Sequence, residues 1–363
     1  MIFSIFLFWR ISLFLVTALG SLALEKVDNG AMGSIGQARD FNYWASWAQW
    51  DGGHYYQIAS KGYAILEDYA FFPLYPFLTK ATSVLFFNNL LLTGLVISNL
   101  MFFLFLLILY KYVKRKYNHK VAVSTLGVYL AFPTSFFAVS FYSESLFLAL
   151  AIAVFYFLHS KKFLLGALCI SLSSVTRLVG IALAISIFYS YFSSIRRNLP
   201  KIDSKILHII PTVFGFSAYS LFLFTKSGDP FKYLTSQSLW ERSITDPIST
   251  ILSYIWTIIT RQSRPINDYF DLLATLFFLI VLAVGAKKIS ASLWIFSMLV
   301  ILIPASTGTL TSMPRYLLSS LGVFVILGNF LSDRPKLKIL ILAASLATQA
   351  ILAVRFINGY WVA

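Results

Sequence analysis

Apolar runs separated by short polar breaks recur along the 363 residues, at about 2–24, 88–110, 121–139, 144–158, 163–176, 178–193, 206–225, 269–286, 291–305, 316–331 and 338–355. Runs of this length suit helices crossing a hydrocarbon core of about 30 Å. The pattern predicts an all-α polytopic membrane protein of about 11 transmembrane helices, folded as one membrane-embedded domain over 1–363. Two long breaks, 25–87 and 226–268, interrupt the rhythm. A composition of 58% hydrophobic and 12% charged residues excludes a soluble chain.

The net charge of +15 changes meaning once its placement is read. With the N-terminus inside, alternate loops hold Lys111, Lys114 to Lys116 and Lys120, then Lys161-Lys162, Arg196-Arg197 with Lys201 and Lys205, Lys287-Lys288, and Arg334, Lys336 and Lys338. Only Asp203 and Asp333 share those loops. Such segregation is the positive-inside rule, so the basic total reflects topology and implies no nucleic-acid partner. Both long loops and nearly every acid then face the extracytoplasmic or luminal side. Cys169 is the sole cysteine, which excludes an intrachain disulfide. Arg10 interrupts the first run and no basic leader precedes it, so that run reads as an uncleaved span.

The first long loop carries the densest chemistry. Trp44, Trp47, Trp50, Tyr55, Tyr56, Tyr63, Tyr69 and Tyr75 alternate with polar residues, as amphipathic aromatics do at headgroup level. Residues 42–60 fit a pair of interfacial helices broken at Gly52-Gly53, with Asp51 capping the second. His54 and Tyr55 would follow on the face of that carboxylate. Phe72-Pro73-Leu74-Tyr75-Pro76 predicts a rigid non-helical wall, because a residue before proline is pushed to extended geometry. Asp51 before a glycine is also suited to plain helix capping.

Glu144 in Phe141-Tyr142-Ser143-Glu144-Ser145 and Arg177 in Thr176-Arg177-Leu178 sit where spans meet the outer face. A charge at such depth faces a pathway or a partner, and these two could simply pair with each other. Gly228-Asp229-Pro230, Gln237, Trp240 and Arg242 mark the second outer loop, and 248–260 is too short to span. Pro314-Arg315-Tyr316 places a further cation at the mouth of a span.

In order, Trp50-Asp51-Gly52 with Tyr55, Phe71 to Pro76, Phe141 to Ser145, Thr176-Arg177, Gly228 to Pro230 with Gln237 and Trp240, and Pro314 to Tyr316 resemble the PIG-V mannosyltransferases, which belong to the GT-C membrane glycosyltransferases. The resemblance implies transfer of a hexose, usually mannose, from a polyprenyl phosphate to a lipid-linked or glycan acceptor, with inversion. It implies Asp51 as catalytic base. The short chain points to a prokaryotic relative.

That chemistry needs one carboxylate, because a phosphate leaves as a stable anion where a leaving alkoxide would need a second acid. Arg177, Arg315, Arg242 and His54 are the candidate donor phosphate contacts. Trp50, Tyr55, Tyr75, Glu144, Gln237 and Trp240 are the candidate sugar or acceptor contacts. No carboxylates with clear metal spacing occur beyond Glu67-Asp68, so neither a metal nor another cofactor is expected. Membrane lipids and an accessory membrane subunit are the further partners foreseen. Two rival classes remain, a polytopic transporter or lipid-linked sugar flippase, and a non-catalytic subunit of a glycosylation complex.

Overall fold

The computed structural model describes residues 1–27, 41–195, 210–260 and 265–362, with backbone alone at 190–195. The cations and Asp203 predicted between 196 and 205 lie outside the described residues. Among those described, every regular element is helical. The chain runs α1 (Ile2–Gly20), α2 (Asp51–Lys61), α3 (Leu74–Thr82), α4 (Leu90–Lys116), α5 (His119–Ala131), α6 (Glu144–His159), α7 (Phe163–Ser174) and α8 (Ile181–Ile195). It continues through α9 (Phe214–Ser227), α10 (Lys232–Ser236), α11 (Pro247–Ile259), α12 (Ile266–Gly285), α13 (Ala291–Ala305), α14 (Met313–Tyr316), α15 (Leu321–Ser332) and α16 (Pro335–Ile357).

Each predicted apolar run holds a helix, but the helices differ in length. Among the described residues four helical stretches, Ile2–Gly20, Leu90–Lys116, Ile266–Lys288 and Pro335–Ile357, are long and apolar enough to cross a membrane. A fifth forms only if Met313–Ser319 and Leu321–Ser332, bent by 78°, count as one span. Five more are shorter apolar helices of 10–17 residues among those described, below the ~20 residues a straight crossing asks.

Local sequence explains the helix ends. The side chains of Asn89 and Asn118 accept from the N–H groups of Leu92 and Val121, capping α4 and α5. Asp246 caps α11 by accepting from Ser249, with Pro247 in the first turn, where its missing N–H costs nothing. Lys114, Arg115 and Lys116 close α4 against its negative dipole end.

In the core, α4 packs on α5 and α6, α5 on α15, α6 on α7, and α13 on α8, while α16 lies along α1 and α5. Gly215 permits the contact of α9 with α7, since a Cβ there would fall 1.9 Å from the carbonyl oxygen of Ser171. Gly215→Ala should lower stability by about 1–3 kcal/mol, the cost of overpacking, read as a lower thermal midpoint in detergent.

The basic turns meet at one end of the bundle. Arg115 donates to Ser160 Oγ (3.1 Å), the Tyr117 hydroxyl donates to the carbonyl of Lys288, and Lys120 lies 2.7 Å from Asp333. Arg10, inside α1, donates to Asn99 Oδ1 (3.0 Å) and lies 5.2 Å from the Trp47 ring. The intramembrane cation thus has partners within the protein.

Two expectations for the first long loop need correction. The break expected at Gly52-Gly53 falls earlier: a 3-10 turn covers Ala45–Ala48, the chain reverses at Gln49-Trp50, and Asp51 is the first residue of α2 rather than its cap. The proline-rich wall is helical from Leu74. Pro73 precedes α3 and Pro76 sits in its first turn, where helical N–H groups lack intrahelical partners and a proline removes nothing.

Candidate active site

Two carboxylates begin helices here, Asp51 at the start of α2 and Glu144 at the start of α6. Helix N-termini favour anions through the dipole and their unpaired N–H groups. The two helix starts are tied together. Phe141 donates its backbone N–H to the Trp47 carbonyl (2.9 Å), and the Tyr142 hydroxyl donates to the Gln49 carbonyl (2.7 Å). Gly52 makes that approach feasible, because a Cβ would meet Tyr142 at 3.0 Å and the Phe141 carbonyl oxygen at 3.2 Å.

Trp50 aims the carboxylate. The Gly52 N–H reaches the Gln49 carbonyl (2.9 Å) across a turn in which Trp50 has φ 54° and ψ −124°. That is the first central position of a type II′ turn, normally a glycine. Holding a tryptophan there costs on the order of 1–3 kcal/mol, which the surrounding packing must overcome. Its ring packs edge-on against Trp361 at 4.9 Å.

Four charges alternate on the floor of the site. Arg315 Nη2 lies 2.6 Å from Asp51 Oδ2, Arg315 Nε lies 3.6 Å from Glu144 Oε1, and Arg177 Nη1 lies 2.5 Å from the same oxygen. Side-chain exposure rises from 3% at Glu144 and 4% at Arg315 to 13% at Arg177 and 25% at Asp51. Asp51 is therefore the charge most open to an incoming molecule. Arg315 is also packed against the rings of Phe137, Tyr142 and Tyr316. The interhelical bridge between Glu144 and Arg177 exists, and Arg315 extends it to Asp51.

These groups open onto a cavity of about 900 Å³, large for a pocket that takes a small molecule. Arg242 enters from the second long loop, donating to the Thr311 carbonyl (3.1 Å) and Thr307 Oγ1 (3.3 Å). Gln237, Trp240, Trp50, His54 and Tyr55 also line the cavity.

Asp51, His54 and Tyr55 share the cavity but turn to separate partners. Tyr55 exchanges a hydrogen bond with Ser143 Oγ (2.7 Å), and burial pushes its pKa up, so it stays a neutral phenol. His54 meets Asp68 (3.4 Å). Tyr75, expected at the sugar, does not line the cavity. It is fully buried, with its hydroxyl on Gly94 O and Ser98 Oγ. Gly228-Asp229-Pro230 likewise stands off the cavity, where Asp229 Oδ1 accepts from the Phe231 N–H.

Three contributors were missed. Trp361 lines the cavity from the far end of the chain. Asp271 of α12 is buried beside the backbone N–H groups of Ser312 and Met313, at the turn that carries Arg315. Asp68 is fully buried beside His54. Asp68 and Asp271 had only their acidity as a signal, and Trp361 had none.

The mannosyltransferase (PIG-V) family profile matches residues 2–225. The chain belongs to that family. The match covers Asp51, His54, Glu144 and Arg177, while Arg242, Arg315 and Trp361 lie beyond it. No curated protein matches the chain. A PIG-V family member is a glycosyltransferase of the mannosyltransferase kind, and its apolar helices make it a membrane protein.

Proposed function

We propose that this cavity transfers a hexose, mannose first among candidates, from a polyprenyl phosphate to a lipid-linked or glycan hydroxyl on the extracytoplasmic side. The proposal includes a GT-C arrangement in which about eleven helices, several of them short or bent, cross the membrane as one domain. The carrying observation is the chain of charges from Asp51 through Arg315 and Glu144 to Arg177 at a cavity floor.

In this reading the acceptor oxygen attacks the anomeric carbon, its proton passes to Asp51, and the bond to the phosphate oxygen breaks with its electron pair staying on phosphate. The ion pair suits that exchange. As Asp51 takes the proton it loses its hold on Arg315, at the moment when the departing phosphate gains charge and needs a cation. Arg177, more exposed, and Arg242 complete a positive surround, and arginine forks suit phosphate oxygens. Apolar lining residues such as Leu178, Val179, Leu239 and Ile303 suit an isoprenoid tail.

No metal is proposed. Among the described residues no three or more His, Cys, Asp or Glu side chains are grouped to hold one, and Asp68 already accepts from Gln57, Ala64 and Ile65. Transfer should therefore be unchanged in EDTA. A loss restored by added Mg²⁺ or Mn²⁺ would reject this.

The test of the whole reading is purified full-length chain with polyprenyl-phosphate mannose and membrane lipid extract, followed by mass spectrometry. A lipid or glycan gaining one hexose supports it. Uptake of the labelled donor into proteoliposomes without a covalent product would favour the transporter class instead.

A further inference from the structure

One buried carboxylate has no part in the transfer described above. Asp68 lies in the 3-10 turn Leu66–Ala70 and is fully buried. Its Oδ2 accepts from Gln57 Nε2 (3.2 Å) and from the N–H groups of Ala64 (3.1 Å) and Ile65 (3.2 Å). Its Oδ1 faces His54 Nδ1 at 3.4 Å. His54 stands one turn after Asp51, stacked on Phe71 (4.6 Å, 15°) and met edge-on by Trp240 at 5.9 Å. Phe71 fixes the plane of the ring and Asp68 fixes its rotation within that plane.

We infer that Asp68 is a positioning residue that holds His54 as its Nδ1–H tautomer, so that Nε2 offers its lone pair to a sugar hydroxyl in the cavity. The tautomer follows from chemistry on the Asp68 side. The three donors at Oδ2 treat Asp68 as an acceptor, and a carboxylate oxygen facing Nδ1 requires the proton there. The other nitrogen of the neutral ring is then an acceptor. A sugar supplies hydroxyl donors, whereas a phosphate oxygen supplies only lone pairs, so His54 moves from the phosphate set to the sugar set. Phe71 and Trp240 beside it provide apolar faces of the kind a sugar ring's C–H surface covers. The hydroxyl ligand rests on the transferase reading, but the tautomer does not.

Asp68→Asn separates positioning from mere support. Three donors converge on Oδ2, so an amide keeps its oxygen there and turns its NH₂ toward His54 Nδ1. That nitrogen becomes an acceptor and the proton moves to Nε2. ¹⁵N NMR of histidine-labelled full-length protein without substrate, at a pH where the ring is neutral, reads this directly, with His54→Gln identifying the signal. Wild type should show Nδ1 protonated and Nε2 bare, and Asp68→Asn the reverse. In transfer assays the variant should raise donor KM about tenfold, the loss of one good hydrogen bond, with kcat changed less. Asp68→Asn should add nothing in a His54→Ala background.

Nε2–H in the wild type would overturn the inference, and that reading holds even if Asp68→Asn does not fold. An unchanged tautomer in the variant, or additive KM effects, would overturn it as well. A chain with the stated tautomer that transfers no sugar would sink the transferase reading while leaving the positioning role intact.

Discussion

Asp51→Asn should reduce sugar transfer roughly 10³-fold, within the 10²–10⁴ that a positioned general base contributes, while membrane insertion and expression persist. The amide keeps the shape of the side chain and still offers an oxygen to Arg315, but it cannot take the acceptor's proton. Part of the effect falls on stability, because Arg315 is buried and its pairing with Asp51 at 2.6 Å becomes a neutral–charged contact. A hydrogen bond to a charged group contributes about 1.5–3 kcal/mol; the variant keeps such a bond to Arg315, so the loss is only a fraction of that, made smaller by the 25% exposure of Asp51. Turnover rates and thermal midpoints on the same preparation separate the two effects. Turnover within threefold of wild type would remove Asp51 from the reaction.

Arg315 should be the least replaceable side chain of the site. It reaches two carboxylates at once, Asp51 through Nη2 and Glu144 through Nε, while 4% exposed and surrounded by three aromatic rings. Arg315→Leu leaves Asp51 without its cation and Glu144 with Arg177 alone, and breaking a buried pair costs about 3–5 kcal/mol. That variant should unfold or aggregate on extraction. Arg315→Lys retains the charge but replaces the fork by one point donor, which cannot hold Asp51 and Glu144 together. It should fold with a modestly lower midpoint and lose kcat about 10²–10³-fold, as when a donor to developing negative charge is removed. Wild-type rates in the lysine variant would show that the fork has no role in the reaction.

Much of this site could be read from the chain because charges at the ends of apolar runs are costly and therefore informative. Glu144, Arg177 and Arg315 each stood out that way, Asp51 stood out by its aromatic-rich loop, and the fold brings the four to one floor. Aromatic residues carried no such signal. Tyr75 and Tyr55 look alike in sequence, yet Tyr75 is sealed against α4 and Tyr55 borders the cavity. Proline misled for a local reason, since Pro73 and Pro76 fall where a helix begins and cost it no hydrogen bond. Hydropathy was blind to the 78° bend near Ser320 within one apolar run, because a bend changes direction without changing composition. Trp361 and Asp271 reach the site from distant segments, and no spacing rule connects them to Asp51. Asp68 looked like half of an acidic pair with Glu67, whereas its burial under Gln57 and His54 is a tertiary fact.

The central claim is a single displacement driven by one carboxylate, and the anomeric configuration of the product tests it most directly. Purified full-length protein would be given a mannosyl polyprenyl phosphate of known configuration, with the new glycosidic linkage read from its one-bond C–H coupling by NMR. Inversion relative to the donor is the expected result. Retention would require either two successive displacements or attack from the face the phosphate leaves, and would contradict the account.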